Sequence, residues 1–213
     1  MTNEEIYNDL LKKTKNLKIK NVQKVTKMSD ICEILSYVLV TENTLDGVDY
    51  DIQKLDFAIL FECFEPKKIV GHGTYLKQLQ RVLEYFKPEN PSPYKNMTQA
   101  IYQTARFLSH YNSFDDFAKE VSSNCLDTAS TYQYLMNFRK ESSLSSLYFV
   151  KTCTFFEKTG LLDIPVVSKK AKEYLLTKFD IPDENEILFK KMISLCKENG
   201  ISCHELNERI LSL

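Results

Sequence analysis

The stretch Leu76-Lys77-Gln78-Leu79-Gln80-Arg81-Val82-Leu83-Glu84-Tyr85-Phe86 spaces Leu76, Leu79, Val82, Leu83 and Phe86 by threes and fours. That spacing puts all five on one face of an α-helix and defines how the rest of the chain is read. Just before it, Gly71-His72-Gly73 makes a turn that places Thr74 near the helix cap. A lone Gly-x-Gly there lacks the lysine and hydroxyl of a P-loop and the third glycine of a dinucleotide fold. Just after it, Lys87-Pro88-Glu89-Asn90-Pro91-Ser92-Pro93 carries three prolines and cannot continue a helix. This loop is the expected boundary between an N-terminal portion, 1–90, and a C-terminal unit, 91–213.

The same spacing recurs along the chain. Ile31, Leu35, Val38 and Leu39 form one face, Ile101, Ala105 and Leu108 another, and Phe114, Phe117 and Val121 extend it. Leu135 with Phe138, the run from Leu144 to Phe156, and Ala171, Tyr174, Leu175 and Phe179 follow, with Ile187 to Leu195 and Leu206 to Leu211 closing the chain. Thr2 with Glu5, Ser130 with Gln133 and Ser202 with Glu205 fit the reciprocal capping box, and Asp183 with Glu186 is a looser version after Pro182. Five glycines in 213 residues leave little material for hairpins. The expected fold is all-α and multi-helical, with about ten helices. Residues Lys18 to Lys27 alternate polar and apolar side chains, which fits a short strand or an extended link.

Hydrophobic content of 43% and charged content of 27% belong to a folded globular chain. A formal net charge of -1 means that affinity for nucleic acid has to come from a local patch. One such patch exists: Leu10 to Ser29 contains no acid but holds Lys12, Lys13, Lys15, Lys18, Lys20, Lys24 and Lys27. It reads either as a solvated face or as a surface that tracks phosphates. The next stretch is acidic, with Glu42, Asp46, Asp49, Asp51, Asp56, Glu62 and Glu65. No run approaches the roughly 20 apolar residues that span a bilayer, so no membrane is expected. The acidic, polar start is unlike a secretory signal, which points to the cytoplasm. Cys32, Cys63, Cys125, Cys153, Cys196 and Cys203 are far apart in mostly apolar surroundings and are expected to pack as small hydrophobes. His72, His110 and His204 have no ligand at zinc-site spacing, and neither a metal nor a cofactor is expected.

The run Lys140-Glu141-Ser142-Ser143-Leu144-Ser145-Ser146 reads as a polar turn between two helices, and it is no nucleophile elbow. From that turn through Leu147-Tyr148-Phe149-Val150-Lys151-Thr152-Cys153-Thr154-Phe155-Phe156-Glu157-Lys158-Thr159-Gly160, the chain resembles the hairpin and second hairpin helix of the helix-hairpin-helix DNA glycosylases. The similarity continues through Ile164-Pro165-Val166-Val167-Ser168-Lys169-Lys170-Ala171, where that family carries a proline loop and a helix opening with its catalytic aspartate. Asn112-Ser113-Phe114-Asp115-Asp116-Phe117 is similar to the short helix before the hairpin, so the resemblance covers roughly Met97 to Leu213. Ser146 and Tyr148 stand where the family has two glycines against a DNA phosphate. Val150 stands at the Schiff-base lysine, with Lys151 turned about 100° round the helix. Val167 or Ser168 stands at the aspartate. Cys196 and Cys203 match only the first spacing of the iron–sulfur cluster that some members carry.

The resemblance implies a catalytically degenerate relative of those glycosylases that binds double-stranded or damaged DNA. Ser145, Ser146 and Lys151 would meet one phosphate, and Ser168, Lys169 and Lys170 another. A second reading is a helical protein-interaction or regulatory module in which the lysine face is merely solvated. A third is an active glycosylase using Asp163 and Lys151 in a shifted register, which requires both to face one pocket.

Overall fold

The computed structural model describes residues 2–40, 50–144 and 147–213. Glu42, Asp46 and Asp49 of the acidic run, and Ser145 and Ser146 of the serine-rich turn, lie outside the described residues. Among the described residues the chain is all-helical, 71% helix without strands, and its α-helices number twelve. None of them is long and apolar enough to cross a membrane. The chain folds as two compact units, residues 1–24, 121–138 and 148–213 in the first and 25–120 and 139–147 in the second. The triple-proline loop lies inside the second unit rather than between the two, so the compact units divide the chain elsewhere than at residue 90.

In the first unit the N-terminal helix α1 (Asn3–Lys13) packs against α11 (Asn185–Asn199) and α12 (Cys203–Leu211), near the end of the sequence. Ile6 and Leu10, one turn apart, are both fully buried. Long-range hydrogen bonds fix the docking: Asn3 Nδ2 donates to Ser194 Oγ of α11 at 3.2 Å and the Tyr7 hydroxyl to Glu205 Oε1 of α12 at 2.9 Å, while the Tyr174 hydroxyl donates to the Ile6 carbonyl at 3.2 Å. Helix α9 (Phe149–Thr159) contributes Phe155 and Phe156, which meet Phe138 at ring separations of 5.8 and 5.0 Å. Helix α10 (Lys169–Lys178) lies against α12.

The second unit is built round α6 (Ser92–Leu108), whose Met97, Ile101, Ala105 and Leu108 are fully buried. Helix α2 (Met28–Val40), α4 (Pro66–Gly71) and α5 (Tyr75–Phe86) pack on it. Helix α3 (Tyr50–Leu60) adds Phe57, which meets Phe86 of α5 at 5.2 Å. After α3 the chain makes a left-handed turn at Glu62, Cys63 and Phe64 (φ 52, 54 and 60°). Non-glycine residues there cost about 1–2 kcal/mol each. The turn buries Phe61 and Phe64 and leaves Cys63 exposed, so this cysteine departs from the expected burial, whereas Cys32, Cys153, Cys196 and Cys203 are buried. Helices α7 (Phe114–Asn124) and α8 (Thr128–Glu141) carry the chain from one unit into the other.

The caps follow the sequence in part. Thr2 and Glu5 form the full reciprocal box. Ser202 accepts from the Glu205 amide, but the Glu205 carboxylate turns to Tyr7 and Arg209 instead of closing the box. Helix α8 starts before Ser130, and its reciprocal pair is Asp127 with Ser130, at 2.8 and 2.9 Å, rather than Ser130 with Gln133. Asp183 does not cap α11, because its carboxylate takes Lys172 at 3.1 Å.

Residues 17–26 form an extended link without regular secondary structure. Lys18, Lys20 and Lys24 are exposed along it, while Ile19 and Val22 are half-buried. The link crosses the end of α9 at Gly160 (φ 63°), where a Cβ would meet the Lys24 Cα at 3.0 Å. Gly200 has the same φ of 63° but open space beside it. Gly200→Ala should therefore lose about 1 kcal/mol, the cost of a left-handed alanine. Gly160→Ala should lose about 2 kcal/mol or more, because the link must also move. Urea denaturation midpoints of the two variants measure the difference.

Candidate nucleic-acid interface

Helix α10 begins where the resemblance puts a functional helix start. Ser168 is its N-cap, and the hydroxyl oxygen accepts from the Ala171 amide at 3.2 Å. No acid occupies the first turn, which instead carries Lys169, Lys170 and Lys172. The first turns of α1, α7, α11 and α12 all contain Asp or Glu. Each lysine at the positive end of a helix dipole costs about 0.3–1 kcal/mol, which a bound anion offsets. Lys169 is 92% exposed and only 3.9 Å from Glu173. Lys170 is exposed, and its ammonium donates to the Leu211 carbonyl at 2.8 Å, at the end of α12. Lys172 is neutralised by Asp183.

The loop leading into α10 is held by a buried amide. Asn207 of α12 accepts from the Val166 amide at 2.9 Å and donates to the Ile164 carbonyl at 3.3 Å, gripping the backbone on both sides of Pro165. Val167, which with Ser168 is one of the two positions where the resemblance would put the family's aspartate, is fully buried in the apolar core. Burial without a hydrogen-bond partner would penalise a carboxylate heavily at that position. Ser145 and Ser146 lie outside the described residues. Lys151 is 9% exposed, with its ammonium 5.4 Å from the ring centroid of Tyr148, so the side chain is drawn inward and offers a phosphate little surface.

Helix α12 gathers the basic elements of this unit. Near its C-terminal end Arg209 Nη1 donates to Thr14 Oγ1 at 2.9 Å, at the C-cap of α1 just before the link. At its N-terminal end His204 Nε2 meets the Lys20 carbonyl at 2.8 Å, so the link runs back along the helix. Among the described residues Lys12, Lys15, Lys18, Lys20 and Lys24 form no ion pair.

His204 is the residue that holds the link. Its Nδ1 bonds Glu157 of α9, its Nε2 the Lys20 carbonyl, and its backbone amide donates to Asp163 Oδ1 at 3.1 Å. A carboxylate and a carbonyl only accept, so both ring nitrogens have to donate and the ring is an imidazolium. Burial opposes that charge, but the hydrogen bonds to Glu157 and the Lys20 carbonyl, with the negative charges of Glu157 and Glu208, raise the pKa above the ordinary histidine value. A ring engaged at both nitrogens has none left for base catalysis.

Asp163 and Lys151 are not brought together. Asp163 lines a cavity of about 300 Å³ with Glu157, Gly160 and His204, and Lys151 takes no part in it. Lys151 is in the first turn of α9 and Asp163 lies past its other end, about 12 Å along the helix from 151 to 159. The two cysteines at the first cluster spacing, Cys196 and Cys203, are buried thiols. The neighbouring Cys196 thiol, with burial second, pushes the Cys203 thiol up and keeps it protonated. Among the described residues no three His, Cys, Asp or Glu side chains gather to hold a metal. Comparison of the chain with protein families, curated proteins and solved structures finds no match.

The sequence does not reveal Asn207 and His204. Their partners are 41 to 184 residues away and include backbone groups, which leave no trace in side-chain pattern. A raised folded pKa means the His204 clamp stabilises fully below the unfolded value, about 6.5. That contribution is lost as pH rises through the folded value. By NMR titration the His204 ring should titrate above 6.5 and fall back in Glu157→Gln, and His204→Gln should flatten the loss of stability on the alkaline side. An unshifted ring would show that the clamp is not charged.

Proposed function

We propose that the chain is a catalytically degenerate relative of the helix-hairpin-helix DNA glycosylases that binds double-stranded or damaged DNA without excising a base. The observation that carries this reading is the start of α10, where the Ser168 cap, the exposed Lys169 and Lys170 and the lack of an acid leave free amides and positive charge facing water. One phosphate would sit there, with Ser168 able to donate its hydroxyl hydrogen. The unpaired Lys15, Lys18 and Lys20, carried along α12 by the link, would follow the backbone further. Ser145 and Ser146 remain part of the proposal through the hairpin, whereas Lys151 is assigned to packing under Tyr148. The loss of chemistry rests on Val167 and Ser168: neither a buried valine nor a capping serine supplies the carboxylate that stabilises an oxocarbenium ion or activates water. Buried, protonated thiols suit a cytoplasmic location.

Fluorescence anisotropy with intact and abasic duplexes at low and physiological salt tests this reading. Wild type should bind, with a preference for the abasic duplex, and Lys169→Glu with Lys170→Glu should weaken binding and reduce the salt slope by about one phosphate contact. Unchanged affinity and slope would remove α10 from the interface, and no binding at low salt would end the proposal.

A second reading, a protein-interaction module, draws support from the second unit. Leu55 and Ile59 of α3 and Leu76 of α5 are 71%, 61% and 71% exposed. Tyr85 ties the two helices by donating to Asp56 at 2.7 Å, and a shallow groove of about 370 Å³ runs along Leu76, Leu79 and Leu83. Exposed apolar surface of that kind is a recognised mark of association. If this face associates, sedimentation velocity should show self-association that Leu76→Glu abolishes while DNA affinity stays the same.

A further inference from the structure

Residues 18–26 run between α1 and α2 without regular secondary structure. Among the described residues they form no ion pair and no hydrogen bond but one: the Lys20 carbonyl accepts from His204 Nε2 at 2.8 Å. Ile19, Val22 and Val25 are half-buried, and Lys24 passes close to Gly160. The extended backbone therefore rests on apolar contact and a single polar bond, and that bond ends on a titratable ring.

Carboxylates surround the ring. Glu157 of α9 is bonded to Nδ1, Asp163 in the loop before α10 takes the backbone amide, and Glu208 follows one turn on in α12. The link contributes a carbonyl rather than a charge. With both ring nitrogens donating, every one of these groups is satisfied. A neutral ring has only one N–H left. The Glu157 side chain is 11% exposed, so losing its hydrogen bond would strand a nearly buried carboxylate. The remaining hydrogen therefore stays on Nδ1, and Nε2 turns a lone pair on the Lys20 carbonyl oxygen. Two acceptors at that distance repel each other. Lys20 is exposed, so water is at hand for its carbonyl instead.

We propose that His204 is a proton-controlled latch: the charged ring holds the lysine-rich link against α12, and the neutral ring releases it. Burial opposes the charge, but the hydrogen bonds to Glu157 and the Lys20 carbonyl, with the charges of Glu157 and Glu208, raise the pKa. The latch is thus closed at the ordinary histidine value, about 6.5, and opens as pH rises through the folded value. It does not depend on the nucleic-acid reading, since ring and link meet within the chain alone.

Carbon-detected NMR on the full chain, titrated from about pH 5.5 to about pH 9, follows the ring and the link together without relying on amide protons. The Lys20 carbonyl and the Ile19 and Val22 methyl signals should move with the midpoint of the His204 ring, toward unstructured-chain positions on the alkaline side. In Glu157→Gln both midpoints should fall together. In His204→Gln, whose side chain does not titrate, the link signals should show no step over the same range. The wild-type titration needs no substitution and decides the matter by itself. Link signals that keep their folded positions while the ring loses its proton would overturn the proposal, as would a ring that stays charged throughout. A link midpoint unmoved in Glu157→Gln, or a step that survives in His204→Gln, would overturn it as well.

Discussion

The His204 imidazolium stands where three parts of the first unit meet. On one side is Glu157 of α9, on the other the backbone of the lysine-rich link, and its own amide closes on Asp163 in the loop before α10. An imidazolium between a carboxylate and a carbonyl is satisfied at both nitrogens, so it acts as a cross-link rather than as a catalyst. Through it the link lies along α12, and through Asn207, one turn further on, so does the loop into α10. The basic residues proposed for phosphate binding are thus arranged by a charged and a neutral polar group on a single nine-residue helix.

On the proposed reading, the same unit separates binding from catalysis. The loop that would present a catalytic aspartate turns Val167 into the core and Ser168 onto the cap. Packing takes one position and capping the other, leaving no carboxylate at the helix start. The lysines at α10 instead leave a local excess of positive charge, which is costly for the helix alone and favourable beside an anion.

Local patterns were legible from sequence wherever the determinant was local. Helical spacing located the faces of α2 and α6, and Thr2 with Glu5 announced the first turn, whereas on α5 only Val82 of the five apolar residues is buried, Gln78 takes the other buried place and Leu76 faces water. The same patterns misled where a nearby group competed. Asp127 outdoes Ser130 as the α8 cap because its carboxylate reaches the Ser130 amide, and Asp183 abandons α11 for Lys172. The prolines at 88, 91 and 93 do break the chain between α5 and α6, yet the two helices pack together, because a break in a helix says nothing about which surfaces meet.

What the sequence by itself determined is the helical character of the chain, most of its apolar faces and the lysine-rich link, since backbone periodicity and short-range capping depend only on neighbouring residues. The tertiary structure alone decided that α1 docks on α11 and α12, that Lys151 turns inward beneath Tyr148, and that His204 reaches Lys20 across 184 positions. Those outcomes depend on which buried faces find each other and on backbone groups that every residue carries alike, so no reading of residue types along the chain could reveal them.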